Sequence, residues 1–165
     1  MKEFLMTGVK FLFFTPVAWI SVAVLYFFYC EANKAYWDYR VKEMCLKDGG
    51  VKVFEKVDLT KEQYVNLKDF QGSIRAPNEK FARPDDVLVS SSSRAILHAG
   101  YPTVDRIETK IFLKSNMRVL GHEISYARIG GDMPTGISHP STFSCGDLEG
   151  FIVNINKLIY SVKGK

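Results

Sequence analysis

Three cysteines and three histidines are the residues of this chain best suited to chemistry. Cys45 and Cys145 lie near the two ends of the region that follows an apolar N-terminal stretch, and Cys30 ends that stretch. A bridge between Cys45 and Cys145 closes a loop of about a hundred residues, which stabilises a fold by ~4–5 kcal/mol in the chain-entropy model. Two unpaired buried thiols are the alternative, and the residues alone leave both open.

The histidines raise two further possibilities, a Cys–His catalytic pair and a zinc site. His139 and Cys145 are six residues apart, and such a pair can act as base and nucleophile. No local signature of a thiol hydrolase surrounds them, and His98, His122 and His139 lack the close spacing of zinc ligands. We therefore predict no catalytic residue, no metal site and no cofactor. A hydrolase that uses His139, His122 or Cys145 is the last alternative.

Composition excludes one class of partner. The chain of 165 residues has 22 Lys and Arg against 18 Asp and Glu, a net charge of +4, without a basic run. Nucleic-acid binding is therefore not expected. The length suits one ordinary domain after the apolar stretch. We predict an N-terminal tail and anchor at 1–30 and a single α+β domain at 31–165.

The stretch from Phe11 to Cys30 contains twenty residues and no charge. As a helix it reaches ~30 Å, the thickness of the hydrocarbon core of a bilayer. Bulky aromatic residues precede Cys30, where signal cleavage requires small residues. The stretch therefore predicts an uncleaved, single-pass anchor of a bacterial inner membrane, with the lipid bilayer as a partner.

The residues that flank this anchor support both possible orientations in the membrane. Four basic residues follow the stretch and two precede it, which places the domain in the cytoplasm by the positive-inside rule. A short, weakly charged N-terminal tail is instead typical of a signal anchor, and long domains translocate largely regardless of charge. We expect a periplasmic domain.

A helical neck is predicted to continue from the anchor. Residues 31–47 are rich in helix formers, and Asp48, Gly49 and Gly50 supply a C-terminal stop. One stripe of this helix is apolar except for Glu43. That stripe consists of Ala32, Ala35, Tyr36, Tyr39, Glu43 and Leu46.

The rest of the domain predicts an antiparallel sheet with a few helices. Residues 51–59 form a strand by alternation, and Thr60 and Gln63 match a capping box. Strands at 87–91 and 94–98 precede a hairpin of 106–113 with 119–129, which alternates around a short turn. Apolar residues at helical spacing from 148 to 162 predict a C-terminal helix, with a strand at 151–155 as the alternative.

Three segments resemble a group of small, membrane-anchored or lipoprotein-like proteobacterial envelope proteins without an assigned activity. The segments are CLKDGGVKVFEKVDL at 45–59, RVLGHEISYARIGGDMPTG at 118–136 and SHPSTFSC at 138–145. The resemblance implies an envelope location, and it places a cysteine at the positions of both Cys45 and Cys145, which favours their bridge. The chain differs from the lipoprotein-like members because it has no convincing lipidation site.

These observations predict a membrane-tethered, non-catalytic envelope module that binds or supports another envelope component. The tether and the absence of a convincing catalytic set favour this function. The alternative is an accessory subunit whose anchor packs inside a larger membrane complex.

Overall fold

The computed structural model describes residues 2–67, 75–133, 139–151 and 155–162, and of residues 2–15, 157 and 162 the backbone only. Helix α1 (Lys2–Asp48) comes first. It ends where the Gly49 N–H donates to the Cys45 carbonyl at 3.0 Å. A Cβ atom on Gly49 would lie 2.6 Å from that carbonyl oxygen, so only glycine fits this stop.

One antiparallel sheet, with strands of different lengths, forms the centre of the domain. Its main strands are β3 (Leu88–His98), β4 (Thr103–Leu113) and β5 (Arg118–Ile129). The order is β1-β5-β4-β3, where β1 is Gly50–Val53, and β6 (Thr142–Ser144) pairs with the end of β5. Every pairing in this sheet is antiparallel.

A second, two-stranded sheet joins distant parts of the chain. Strand β2 (Val57–Leu59) pairs in parallel with β7 (Tyr160–Val162). Helix α2 (Lys61–Asn66) follows β2, and helix α3 (Asn156–Ile159) precedes β7. Short 3₁₀ turns lie at Glu79–Phe81 and Cys145–Asp147.

The described residues pack into two apolar clusters on the two faces of the main sheet. The first, here called the sheet core, includes residues from β2 and α3, and Tyr160 of β7 packs against it. It consists of Leu59, Leu67, Ala76, Leu88, Ile111, Leu120, Ile155 and Ile159. The second, the helix core, lies under α1 and consists of Val41, Cys45, Val104, Ile124, Tyr126 and Cys145.

Several predictions from the sequence are confirmed. The fold is α+β with an antiparallel sheet, and α1 runs on to Asp48 without a break at residue 30. Strands β4 and β5 form the predicted hairpin. Thr60 caps α2, since its hydroxyl accepts the Gln63 N–H at 3.2 Å while the Gln63 side chain accepts the Thr60 N–H at 2.9 Å.

The predicted transmembrane anchor was wrong. In the part of the chain that the structure describes, no helix combines the length and the apolar character needed to cross a membrane. The described side chains of α1 are uncharged only from Pro16 to Cys30, a length of ~22 Å, and Glu31 follows. Residues 11–15 of the predicted span lie outside the described side chains. This finding overturns the single-pass inner-membrane location and its periplasmic domain.

The predicted C-terminal helix was also wrong. Among the described residues of this region, helix α3 has four residues and the chain then continues as β7. Ile155 and Ile159 do share one helical face and are buried in the sheet core, but pairing with β2 takes the following residues into a strand. Residues 152–154 lie outside the described residues.

Strand boundaries changed in two places. The predicted strand at 51–59 is two strands, because Phe54 and Glu55 leave the ladder and donate their N–H groups to the Leu120 carbonyl at 2.8 and 3.0 Å. The predicted strands at 87–91 and 94–98 are one strand, β3, because β4 pairs with its whole length.

Candidate functional site

Cys45 and Cys145 are joined by a disulfide. Their Cα atoms are 5.5 Å apart and their sulfur atoms 1.99 Å apart, with a sequence separation of 100 residues. Both cysteines are buried in the helix core, and the Cys145 sulfur also accepts the Tyr126 N–H at 3.1 Å. The bond therefore fixes the last turns of α1 to the sheet, next to β5.

The disulfide removes the Cys–His hypothesis. A thiolate is the nucleophile in such a pair, and Cys145 has no free thiol while it is bonded to Cys45. His139 is exposed in the loop before β6. The hydrolase alternative that used Cys145 is therefore excluded in the oxidised protein.

The histidines do not converge on one site. His98 stacks on Trp37 with ring centroids 4.4 Å apart, whereas His122 meets the edge of Phe54. His98 pairs with Val104 of β4, which in turn pairs with Arg128 of β5. Arg128 is six residues from His122 along β5, so the two histidines lie ~20 Å apart along the strand direction. No group of three or more metal-ligating side chains occurs among the residues the structure describes.

Charged and aromatic side chains hold α1 against the sheet along a face that we call the docked face. It consists of Cys30, Asn33, Lys34, Trp37, Asp38, Val41, Cys45 and Asp48. The Asn33 amide donates to the Tyr101 carbonyl at 3.1 Å, and the Tyr126 hydroxyl donates to Asp48 at 2.8 Å. These contacts are about four helical turns apart, so the helix is fixed in both position and rotation.

Arg128 is the most deeply buried cation among the described residues of this interface. It is 2% exposed. Its guanidinium donates to Asp38 of α1, to the Gly130 carbonyl and to the Ser141 hydroxyl. A buried charge is tolerated only when it is paired and hydrogen-bonded. Asp38 must therefore face the sheet, where it pairs with Arg128.

Asp132 makes a second ionic contact to α1. It accepts the Ser141 N–H at 2.6 Å and hydroxyl at 2.8 Å, and Lys34 lies 3.4 Å away. Burial acts to raise the pKa of Asp132, but the hydrogen bonds from Ser141 and the charge of Lys34 outweigh it and lower the pKa. The carboxylate therefore stays charged and links the helix, the end of β5 and the segment before β6.

The apolar stripe of the neck is its solvent-exposed face. We call it the outer face, and all six of its residues, from Ala32 to Leu46, are exposed. Tyr39 is 60% and Leu46 70% exposed. The opposite stripe, though partly charged, packs on the sheet because its charges find partners there.

The outer face continues into a part of α1 that is apolar all round. From Val17 to Tyr29 every residue is exposed, including Trp19 at 74% and Leu25 at 68%. A helix that is hydrophobic on all sides is normally buried, and exposed apolar patches larger than a few hundred Å² mark interaction sites. Nothing in the described chain covers this surface.

Basic groups border the C-terminal end of the outer face. A depression of about 530 Å³ there is lined by Arg40, Glu43, Met44, Leu46 and Lys47. Arg40 and Glu43 pair at 3.1 Å, and Tyr39 donates to the same carboxylate. Lys42 and Lys47 are exposed and form no ion pair with a described residue. The surface is therefore apolar with a positive border.

No protein-family model, curated protein or solved structure matches this chain. The resemblance to the proteobacterial envelope proteins therefore stays a prediction. The candidate site rests on the geometry of α1 alone.

The sequence did contain a signal for the docked face. Lys34, Asp38, Val41, Cys45 and Asp48 recur at intervals of three and four residues, the spacing of one helical stripe. A rule that expects the buried stripe to be the more apolar one selects the wrong side here. The partners on the sheet side, the buried Arg128 and the half-buried Asp132, lie about a hundred residues away and cannot be paired with α1 from the sequence.

Proposed function

We propose that this protein is a non-catalytic binding module in which the sheet domain holds α1 as a fixed arm. The apolar outer surface of the arm docks on another protein. The observation that supports this proposal is the exposure of the outer face and of Val17–Tyr29. The opposite face of the helix is fixed to the sheet by a disulfide and ion pairs. An exposed surface of this size and composition is unfavourable in water unless a partner covers it.

The composition of the outer surface is that of a binding surface. Tyr and Trp are enriched in protein interfaces because they provide a large contact area at a low entropic cost. Trp19, Tyr36 and Tyr39 are all exposed on α1. Because the docked face already fixes the backbone of residues 30–48, little ordering entropy is lost when a partner binds there.

The charges favour a partner with an acidic border over a second copy of this chain. Lys42 and Lys47 flank the outer face without ion-pair partners among the described residues. Two copies packed in parallel through their outer faces would bring these like charges together, which disfavours that arrangement. An apolar surface bordered by carboxylates complements the arm in both respects.

Site-specific photocrosslinking in cells tests this function. A photoreactive amino acid at position 25 or 39 is expected to crosslink one and the same protein, whereas the exposed Ser93 on β3 serves as the control position. Lys42→Glu with Lys47→Glu is expected to lower the yield at position 39 several-fold. Lys80→Glu, an exposed change far from the arm, is the matched charge control and should leave the yield unchanged.

Three results contradict the proposal. Position 93 crosslinks the same protein as efficiently, or the paired lysine changes have no more effect than Lys80→Glu. The third is that the purified chain binds phosphatidylcholine vesicles through positions 25 and 39 with no protein partner.

A further inference from the structure

A polar cleft lies on the face of the main sheet opposite α1. Ser92, Thr109 and Glu123 are direct neighbours across β3, β4 and β5. Glu123 precedes Ile124 of the helix core by one residue, so it points to the other side of the sheet. The cleft has a volume of about 410 Å³, within the range of small-molecule sites. Segment 75–78 and Asn156 form its wall.

Hydrogen bonds fix the wall and floor of the cleft. The Asn156 side-chain oxygen accepts the Ala76 N–H at 2.9 Å, and the Ser90 hydroxyl donates to the Ala76 carbonyl at 2.9 Å. The hydroxyl oxygens of Ser92 and Thr109 are 3.0 Å apart. Because each hydroxyl offers one donor and two acceptor sites, this pair retains hydrogen-bonding capacity toward the cleft.

Two opposite charges border the cleft without neutralising each other directly. Glu123 is half-buried, and one of its oxygens accepts the Ile155 N–H at 3.2 Å, while no described residue bonds to the other oxygen. Burial raises the pKa of Glu123, although the Ile155 hydrogen bond and the positive charge of Arg75 act to lower it. The exposed Arg75 guanidinium forms no ion pair with a described residue.

We propose that this cleft binds a small zwitterion of the α-amino-acid type. Its ammonium group would lie against the Glu123 carboxylate and its carboxylate against the Arg75 guanidinium. Ser92 and Thr109 would then hydrogen-bond to a polar side chain of the ligand. A saccharide satisfies the hydroxyl groups and leaves both charges unmatched, so a ligand carrying both charges is the better complement.

Burial of the Glu123 carboxylate without a direct ion pair to a described residue is unfavourable, and perturbed ionisable groups of this kind concentrate at functional sites. Replacing Glu123 with its neutral amide is therefore expected to preserve or raise the melting temperature. The same change removes the group that the ligand's ammonium requires. If Glu123 had only a structural role, the same change would not weaken ligand binding while it preserved the melting temperature.

Saturation-transfer NMR and calorimetry on the full chain test the proposal. The probes are glycine, L-serine and L-glutamine, compared with propionate, ethylamine and glucose. We expect the zwitterions to bind at least tenfold more tightly than the single-charge compounds and glucose. Glu123→Gln and Arg75→Gln should each weaken zwitterion binding at least tenfold, whereas Glu149→Gln, an exposed carboxylate outside the cleft, should not.

The proposal is overturned if none of the three amino acids binds. Equal binding of glucose, ethylamine or propionate also overturns it, as does unchanged affinity in a folded Glu123→Gln variant. Far-ultraviolet circular dichroism and melting curves of every variant separate a loss of binding from a loss of fold. The partner-binding arm lies on the other face of the sheet, so either proposal can fail without the other.

Discussion

At the scale of single residues, ionic contacts decide how α1 faces the sheet. Arg128 cannot be left unpaired where it lies, because the cost of desolvating an isolated charge is large. Asp38 supplies the compensating charge from α1, and Lys34 with Asp132 adds a more exposed contact one turn earlier. These side chains set the rotation of the helix, and thereby expose Tyr36, Tyr39 and Leu46.

Asp38→Ala is expected to lower the free energy of unfolding by about 2–3 kcal/mol, because it leaves the buried Arg128 guanidinium without its carboxylate. Urea denaturation measures the change. Lys42→Ala, on the exposed side of the same helix, is the control and should change stability by no more than about 0.5 kcal/mol. If Asp38→Ala lowers the free energy of unfolding by no more than Lys42→Ala does, the Asp38–Arg128 pair does not position α1.

At the scale of elements, α1 is held near its C-terminal end by a covalent bond and by weaker contacts between Cys30 and Asp48. The disulfide connects α1 to the turn after β6, and β6 in turn pairs with β5. The bond thus closes a loop that contains the whole main sheet. The element that was predicted to be a tether instead forms one side of the helix core.

Reduction of the disulfide is expected to lower the free energy of unfolding by about 4–5 kcal/mol in the chain-entropy model. Urea titrations with and without dithiothreitol measure this loss, and Cys45→Ala with Cys145→Ala should abolish the difference. A non-reducing peptide map should show Cys45 linked to Cys145 and Cys30 free. A map in which Cys45 and Cys145 both carry free thiols would refute the bond.

At the scale of the whole molecule, the two faces of the main sheet carry different tasks. One face binds α1 through the helix core, and the other carries the sheet core and the polar cleft. The contacts that fix α1 to the sheet lie between Cys30 and Asp48. The described side chains of α1 before Cys30, from Pro16 to Tyr29, are exposed and make none of these contacts.

A chain that starts at Tyr29 is expected to fold with the same disulfide and with a free energy of unfolding within about 1 kcal/mol of the full chain, since every docked contact is retained. Denaturation curves and a peptide map test this. The shortened chain should lose the crosslinked partner of position 39 or bind it more weakly. Failure of the shortened chain to fold would place residues before Tyr29 in the fold itself.

The sequence by itself determined the elements that depend on local physics. The length of α1 beyond residue 30, the Thr60 capping box and the β4–β5 hairpin follow from helix formers, a cap and period-two alternation, which act between near neighbours. The pair Cys45 and Cys145 was also singled out, although its bonding was left open. The helix, the cap and the hairpin need no knowledge of distant parts of the chain.

Only the tertiary structure decided which stripe of α1 is buried and where the C-terminal residues go. The charged stripe faces the sheet because β5 brings Arg128 and Asp132 to the helix. There they stabilise Asp38 and Lys34 more than water does. Tyr160–Val162 became a strand because β2 offers an open edge about a hundred residues earlier. The polar cleft likewise exists only once three strands place Ser92, Thr109 and Glu123 side by side. Long-range pairing of charges and strands overrides local pattern, because the free energy of a buried contact exceeds the small differences in local propensity.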